Sequence, residues 1–225
     1  EASDAGDRAT ICNLLVDILA TGDDSVRDPA EARSRIQADQ CSIAKPVDGK
    51  QLRGDRLYCG ILAEMLLDGV GGPADPKLGE DLMRLSCALK LEEACTSLRD
   101  RDFRIDDAKA ANLLAKYGYF YPARDAYEAL CTAGNAPACS EAGRFHALGQ
   151  DAGGGAKARE LYARACSLND AIGCFNSGNA LYQLGGEANL LAARAALGKG
   201  CDKKDPASCR FLGIMMSNGS GGATD

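Results

Sequence analysis

The chain has 225 residues, a formal net charge of −6 and a sequence pI near 5.0. Proteins that bind nucleic acid need a basic stripe to contact the phosphates, so this charge argues against a nucleic-acid partner. No apolar run approaches the length of a membrane span, and we therefore expect no transmembrane segment.

No segment shows the strict alternation of a half-buried strand, so the chain is predicted to be all-α. Asp-Pro pairs at Asp28-Pro29 and Asp75-Pro76 mark helix starts. The pattern indicates two alternating sets of helices and one extra helix from Asp106 to Lys116. The A helices are expected near 8–20, 51–67, 92–103, 136–148, 171–184 and 206–217, and the B helices near 29–40, 76–89, 121–132, 155–168 and 187–200.

Eleven cysteines are spread along the chain, and eight of them form four Cys-x7-Cys pairs. In one continuous helix such a pair would have Cα atoms about 12 Å apart, whereas a disulfide tolerates at most roughly 7 Å. The chain must therefore reverse between the two cysteines if they are bridged, and turn-forming residues such as Asn169-Asp170 lie between them. The predicted disulfides, with Cys12 left unpaired, are Cys41–Cys59, Cys87–Cys95, Cys131–Cys139, Cys166–Cys174 and Cys201–Cys209.

A zinc site is the competing explanation for so many cysteines. No two cysteines lie two to four residues apart and His146 is the single histidine, so the usual ligand spacings are missing. Cys-x-x-Cys, the mark of thioredoxin-type redox centres, is absent as well. We expect no metal or cofactor, and an oxidising compartment: the periplasm or the exterior, with a signal peptide removed.

The second cysteines of the pairs lie at positions 59, 95, 139, 174 and 209, in steps of 36, 44, 35 and 35 residues. We use these cysteines as anchors. A small residue recurs four positions after most anchors, as in Gly143, Gly178 and Gly213, and a glycine recurs ten positions after. Two helices per 35-residue period indicate an α-solenoid, in which neighbouring repeats bury one continuous core. We predict a single solenoid over 1–217, with a weak repeat at 8–45, an irregular insertion at 96–120 and a flexible tail at 218–225.

The best repeat units read Ala-x3-Tyr-x2-Ala-Cys from Ala158 to Cys166, then Cys-x3-Gly from Cys174 to Gly178. These motifs resemble the cysteine-rich branch of the Sel-like (SLR) repeat proteins, which are relatives of the tetratricopeptide repeats. The resemblance implies a right-handed α-α superhelix of about five to six helix-turn-helix repeats, periplasmic or secreted, that acts as an adaptor binding other proteins. Some cysteine-rich members have been assigned penicillin binding and slow β-lactamase activity.

One motif could support that enzymatic alternative. Ser42-Ile43-Ala44-Lys45 matches the Ser-x-x-Lys of serine β-lactamases, but its Ser-Asp-Asn and Lys-Thr-Gly partner motifs do not occur. We therefore predict no catalytic residue. His146 replaces a leucine or methionine of other repeats and is expected to pack in the core, and the glycines from Gly153 to Gly155 are expected to form a linker.

The concave face of an α-solenoid is lined by its A helices, and binding sites concentrate there. Positions two, five and nine after each anchor share a stripe, which runs from acidic residues through Arg144 to an amide-rich patch and ends at the apolar Phe211 and Ile214. Amides both donate and accept hydrogen bonds, which suits an extended peptide backbone. The alternative is that these residues are ordinary exposed polar side chains. The predicted binding residues are Glu64, Glu141, Arg144, Asn176, Asn179 and Gln183.

The function predicted from sequence is therefore a non-catalytic scaffold of the bacterial envelope or exterior that binds a protein or peptide, alone or as a subunit of a larger periplasmic assembly. The alternative is a weak penicillin-binding or β-lactamase-type hydrolase.

Overall fold

The computed structural model describes residues 28–36, 55–103, 106–149 and 153–224, and all eleven regular elements in these ranges are α-helices. The all-α prediction is confirmed, whereas the helix predicted near 8–20 lies outside the described residues. The helices are α1 Pro29–Arg35, α2 Asp55–Asp68, α3 Pro76–Ala88, α4 Glu92–Asp100, α5 Asp107–Lys116, α6 Phe120–Thr132, α7 Ala136–Leu148, α8 Gly154–Ser167, α9 Ala171–Leu184, α10 Glu187–Asp202 and α11 Pro206–Ser217.

Side-chain caps fix where many of these helices begin. Asp28, Asp75 and Asp205 each accept a hydrogen bond from the backbone N–H three residues later, and a proline follows each of them. The cap satisfies an N–H that has no partner inside the helix, and proline loses nothing at the first helical position. Asp106, Asn135 and Asp170 cap α5, α7 and α9 in the same way.

Contacts divide the chain into two compact units, one ending at Pro122 and the other beginning at Ala123. In the first unit α2 packs against α3, and α3 packs against α4 and α5. The α2–α3 crossing is close because Gly79 has no side chain: a Cβ there would lie 2.9 Å from the carbonyl oxygen of Ala63. The core of the first unit consists of fully buried side chains that include Leu66, Leu82, Met83, Leu98 and Leu114.

In the second unit each helix from α7 to α11 packs against the next. Contacts also join α7 with α9, α8 with α10 and α9 with α11, so that successive hairpins stack on one another. This is the packing of an α-solenoid, in which each repeat completes the core of its neighbour. The predicted solenoid fold is confirmed; the division 1–217 and 218–225 stays a prediction.

Four disulfides join the end of one helix to the start of the next. Their Cα–Cα distances are 4.7, 4.5, 4.3 and 4.5 Å for Cys87–Cys95, Cys131–Cys139, Cys166–Cys174 and Cys201–Cys209. The chain reverses at a left-handed residue three positions after each first cysteine. These residues are Lys90, Gly134, Asn169 and Lys204, with φ of 68°, 92°, 68° and 64°.

The remaining cysteines are only partly described. Cys59 is buried on α2 and belongs to none of the disulfides in the described part of the chain. Cys12 and Cys41 lie outside the described residues, so the Cys41–Cys59 bridge and the unpaired Cys12 stay predictions. No helix in the described ranges combines the length and the apolar character that crossing a membrane requires.

Candidate binding face

The A-type helices α7, α9 and α11 pack side by side in the second unit. Five of the six predicted binding residues lie on two of them: Glu141 and Arg144 on α7, and Asn176, Asn179 and Gln183 on α9. The side-chain hydroxyl of Ser140 donates to Asp170 Oδ2 at 2.5 Å, which ties α7 to the start of α9. We call these five residues, with Phe211 and Ile214 of α11, the binding face.

The charged end of the binding face is an exposed ion pair. Arg144 Nη2 lies 2.6 Å and Nε 3.0 Å from Glu141 Oε2, and the guanidinium lies 4.8 Å above the Phe145 ring. The two side chains remain 47% and 39% exposed, so the pair contributes little to stability. Arg144 can therefore exchange Glu141 for a carboxylate of a partner at small cost.

Two tyrosines lie beneath this charged end. Burial raises the pKa of Tyr127 and of Tyr162 above the ordinary value of 10.0, and the charges of Glu141 and Arg144 act on both in opposite directions. Tyr127 packs against Phe145, with ring centroids 5.7 Å apart, and Tyr162 packs against Gly143. Both phenols stay protonated at neutral pH and act as packing groups.

The middle of the binding face carries three amides. Asn176 and Asn179 are half-buried and Gln183 is exposed. Gln183 Nε2 donates to Asn179 Oδ1 at a long 3.5 Å, and Asn176 makes no hydrogen bond to another described residue. Each amide offers two N–H donors and an acceptor oxygen, so most of this hydrogen-bonding capacity is unused.

The far end of the binding face is aromatic and apolar. Phe211 packs against Phe175 and Tyr182, with ring centroids 6.4 and 5.0 Å apart, and Ile214 lies beside it on α11 with 47% of its surface exposed. Tyr182 was not predicted, because it lies eight positions after its anchor, outside the two-five-nine stripe. A wider stripe would have included it.

Glu64 lies in the first unit, apart from the other predicted residues in sequence. Its carboxylate accepts a hydrogen bond from Ser97 Oγ at 2.7 Å. An open depression of about 370 Å³ is lined by Glu64, Glu92, Glu93, Thr96, Ser97 and Asp100. Four of these six residues are acidic, so the depression is suited to a basic group.

The remaining sequence candidates have other positions. His146 Nε2 lies 2.6 Å from Glu128 Oε1 with 12% of its side chain exposed, so it makes a polar contact between α6 and α7 at the edge of the core. Gly153 lies between α7 and α8, as the linker prediction expects, whereas Gly154 and Gly155 belong to the first turn of α8, so the linker is shorter than predicted. A Cβ on Gly154 would lie 2.7 Å from the His146 carbonyl oxygen.

Ser42 and Lys45 lie outside the described residues, and the β-lactamase alternative stays a prediction. Nitrocefin turnover that Ser42→Ala abolishes would support it. In the described ranges, no group of three or more His, Cys, Asp or Glu residues is placed to hold a metal ion.

No family model matches the chain, and the curated proteins contain no match. Among solved structures, the chain is similar to a protective antigen present in uropathogenic Escherichia coli strains that displays an SLR fold. That match has a TM-score of 0.51 and 20% identity, and covers 99% of this chain and 44% of the antigen. A Sel1 repeat protein from Oxalobacter formigenes matches with a TM-score of 0.36 and 15% identity over 95% of this chain and 80% of that protein.

This chain thus spans less than half the length of the antigen. The helix order and the stacking of the hairpins agree with the likeness to the antigen. The chain therefore has the SLR fold that its repeat motifs predicted.

Proposed function

We propose that the chain is a non-catalytic scaffold that holds an extended segment of a partner protein along the binding face, in the periplasm or outside the cell. The observation that carries this proposal is the row of amides with unused hydrogen-bonding capacity at Asn176, Asn179 and Gln183. An extended peptide has its own backbone donors and acceptors to satisfy, and amide side chains can satisfy both.

The two ends of the face give the proposed partner its chemistry. Arg144 favours an acidic side chain at one end, since its present partner Glu141 is exposed and easily exchanged. The aromatic cluster of Phe211 and Tyr182, with Ile214, favours an aliphatic or aromatic side chain at the other end. In the first unit, the acidic depression beside Glu64 is proposed as a separate site for a basic group.

The proposed compartment rests on the disulfides. Structural disulfides persist in oxidising environments and are rare in the cytosol, and the described part of the chain contains four of them. Such a scaffold could act alone or as one subunit of a larger envelope assembly.

Selection from a random peptide library on the oxidised protein tests this function. We expect selected peptides to carry an acidic residue and an apolar residue, and to bind at least about tenfold more weakly to Asn176→Arg/Asn179→Arg, because the arginines fill the row of amides. Fluorescence anisotropy of a labelled peptide measures the affinity, and circular dichroism checks that the variant is folded.

Ala163→Arg/Ala195→Arg is the matched control. Both alanines are exposed and lie on the B-type helices α8 and α10, so this variant adds the same charge away from the binding face. Equal loss of affinity in both double variants would show a general charge effect, and undiminished binding to the Asn176→Arg/Asn179→Arg variant would remove the binding face from the proposal.

A further inference from the structure

One buried position of the B-type helices carries tyrosine on α6 and α8 and a side chain without a hydroxyl on α3 and α10. The position lies four residues before the first cysteine of each Cys-x7-Cys pair, and its occupants in chain order are Met83, Tyr127, Tyr162 and Leu197. All four side chains are buried. Methionine and leucine fill this position without a polar atom, so the fold does not require a hydroxyl there.

The hydroxyl of Tyr162 is also unnecessary for the helix crossing that its ring covers. A Cβ added to Gly143 of α7 would lie 2.6 Å from Tyr162 Cε1, and a Cβ added to Gly178 of α9 would lie 2.6 Å from Leu197 Cγ. Leucine therefore covers the equivalent glycine as tyrosine does. Tyr162 is only 8% exposed, yet its hydroxyl makes no hydrogen bond to another described residue. Buried hydroxyls normally have a partner, so this one has an unused donor.

The two tyrosines lie beside the one arginine of its repeat position. The residues five positions after the anchors are Glu64, Asp100, Arg144, Asn179 and Ile214. Arg144 directly follows Gly143, against which the Tyr162 ring packs, and Arg144 also lies over Phe145, which contacts Tyr127. The arginine and the tyrosines thus occur together, in the repeat that α7 contributes.

Electrostatics agree with this closeness. Burial raises the pKa of Tyr162, while Arg144 lowers it and Glu141 raises it. Burial also raises the pKa of Tyr127, on which the same two charges act. Both phenols therefore keep their protons at neutral pH, and the Tyr162 hydroxyl can donate a hydrogen bond to an anion.

The guanidinium of Arg144 has one edge to spare. Glu141 Oε2 accepts hydrogen bonds from Nε and Nη2, at 3.0 and 2.6 Å, along one edge. Arg144 Nη1 makes no hydrogen bond to another described residue, and the side chain is 47% exposed. A guanidinium has five N–H donors, so the edge formed by Nη1 and Nη2 can bind a second acceptor without displacing Glu141.

We propose that Arg144 and Tyr162 form a carboxylate site, in which the free guanidinium edge and the phenol hydroxyl donate to one carboxylate of the partner segment. The inference rests on the proposed function, because it names the group that the binding face recognises at α7. A planar carboxylate matches a guanidinium edge through two parallel hydrogen bonds. A phosphate dianion fits less well, because Glu141 stays beside the site and repels the second negative charge.

Two sources present this group: the side chain of aspartate or glutamate, and the C-terminus of a chain. N-acetylglutamate N-methylamide is the probe for the first source and N-acetylalanine for the second. N-acetylglutamine N-methylamide is the uncharged control, and N-acetylphosphoserine N-methylamide tests the dianion. Each probe is titrated into the oxidised full chain, and the Arg144 Nε–Hε resonance, assigned by its loss in Arg144→Lys, is followed by NMR.

We expect a saturable shift of the Arg144 resonance with at least one carboxylate probe and none with the glutamine probe. Tyr162→Phe should weaken the carboxylate affinity at least about fivefold, because it removes one charge-assisted hydrogen bond. Tyr162→Phe keeps the ring that covers Gly143, and circular dichroism checks its fold. Tyr117→Phe, which removes a hydroxyl in the first unit, is the matched control and should bind as the wild type does.

Three results would overturn the carboxylate site. They are no saturable shift with either carboxylate probe, equal affinity of wild type and Tyr162→Phe, and tighter binding of the phosphoserine probe than of both carboxylates. The outcome is separable from that of the peptide selection. Selected peptides that lose affinity in Asn176→Arg/Asn179→Arg but keep it in Tyr162→Phe would remove the carboxylate site and leave the binding face. Carboxylate probes that bind as expected while no peptide is selected would support the site and contradict the proposed function.

Discussion

At the scale of single residues, the glycine four positions after an anchor decides how closely two helices approach. Gly178 is in contact with the side chain of Leu197, whereas the equivalent Gly213 faces open space in the described structure. The same residue type therefore has opposite consequences at two equivalent positions. Glycine costs about 1 kcal/mol relative to alanine in a helix interior, and only the close crossing offsets that cost.

We expect Gly178→Ala to destabilise the protein by about 1–3 kcal/mol, because the methyl group would lie 2.6 Å from Leu197 Cγ and must displace it. Gly213→Ala is the matched control and should be neutral or stabilising by up to about 1 kcal/mol, through helix propensity alone. Urea unfolding followed by circular dichroism measures both. Equal effects of the two substitutions would contradict the crossing geometry.

A second residue-scale feature joins α3 to α5 in the first unit. Glu80 Oε1 accepts hydrogen bonds from Arg84 Nη2 at 2.6 Å and from Lys109 Nζ at 3.4 Å. The Arg84 hydrogen bond holds the pKa of Glu80 below its ordinary value of 4.5, against the opposing effect of burial. Because the folded-state pKa is depressed, ionised Glu80 stabilises the fold above pH 4.5, and this contribution is lost as the pH falls through the folded-state pKa.

Glu80→Gln should therefore flatten the acid limb of the stability curve. Below pH 4.5 we expect the urea midpoint of the wild type to fall more steeply with pH than that of Glu80→Gln, while near neutral pH the wild type is the more stable of the two. Parallel curves from neutral pH to about pH 3 would show that Glu80 has the same pKa in the folded and unfolded states.

At the scale of helices, the disulfide hairpin is the repeating element of the chain. Each bridge closes a short loop around one left-handed residue, as Cys166–Cys174 does around Asn169. A non-glycine residue in this conformation costs about 1 kcal/mol. The bridge offsets that cost because it removes conformational freedom from the unfolded chain, by about 2.5 kcal/mol for a loop of this length.

Cys166→Ala/Cys174→Ala should lower the free energy of unfolding by about 2.5 kcal/mol and leave the helix content unchanged. The measurement is urea unfolding of both proteins, oxidised and in excess reductant. Reductant should destabilise the wild type more than the double variant, because the variant has one disulfide fewer for the reductant to cleave. A double variant as stable as the wild type would mean that strain cancels the effect of the bridge.

A turn that contains three glycines follows both α2 and α11, and an arginine side chain from another helix donates a hydrogen bond to each turn. These two arginines were not predicted from the sequence. Arg33 donates from Nη2 to the Pro73 carbonyl oxygen at 2.8 Å, and Arg194 donates from Nη1 to the Ala223 carbonyl oxygen at 3.1 Å. The recurring Gly-x-Gly-Gly of 69–72 and 219–222 is visible in the sequence. The arginines are 40 and 29 residues away from the carbonyls they bind, in helices whose packing alone brings them there.

At the scale of the whole molecule, the order of the disulfides remains the most direct test of the repeat register. We expect mass mapping of the unreduced protein to find five bridges, each between consecutive cysteines, with Cys41 joined to Cys59 and Cys12 as a thiol. Buried Cys59 is the fifth residue of the A helix α2, next to the fourth position that the second cysteines of the other bridges occupy in their helices. A bridge that joins cysteines of distant repeats would contradict the register.

The sequence by itself determined the all-α solenoid, the positions of most helices and the four Cys-x7-Cys bridges. These features depend on short-range patterns: the 3.6-residue period of apolar positions, caps next to proline, and a cysteine spacing that forces a reversal. The same period placed Asn176, Asn179 and Gln183 on one stripe of α9, because residues three or four apart share a helix face.

Only the tertiary structure decided which of those side chains have unused hydrogen-bond donors and acceptors, and which glycines are packed against a neighbouring helix. The sequence predicts Asn176 and Glu141 alike as polar residues of the stripe. In the structure the Glu141 carboxylate accepts hydrogen bonds from Arg144, whereas Asn176 makes no hydrogen bond to another described residue. Gly178 and Gly213 share their repeat position and differ only in whether a helix lies over them. Occupancy of a surface depends on neighbouring helices far away in sequence, and a local pattern carries no information about it.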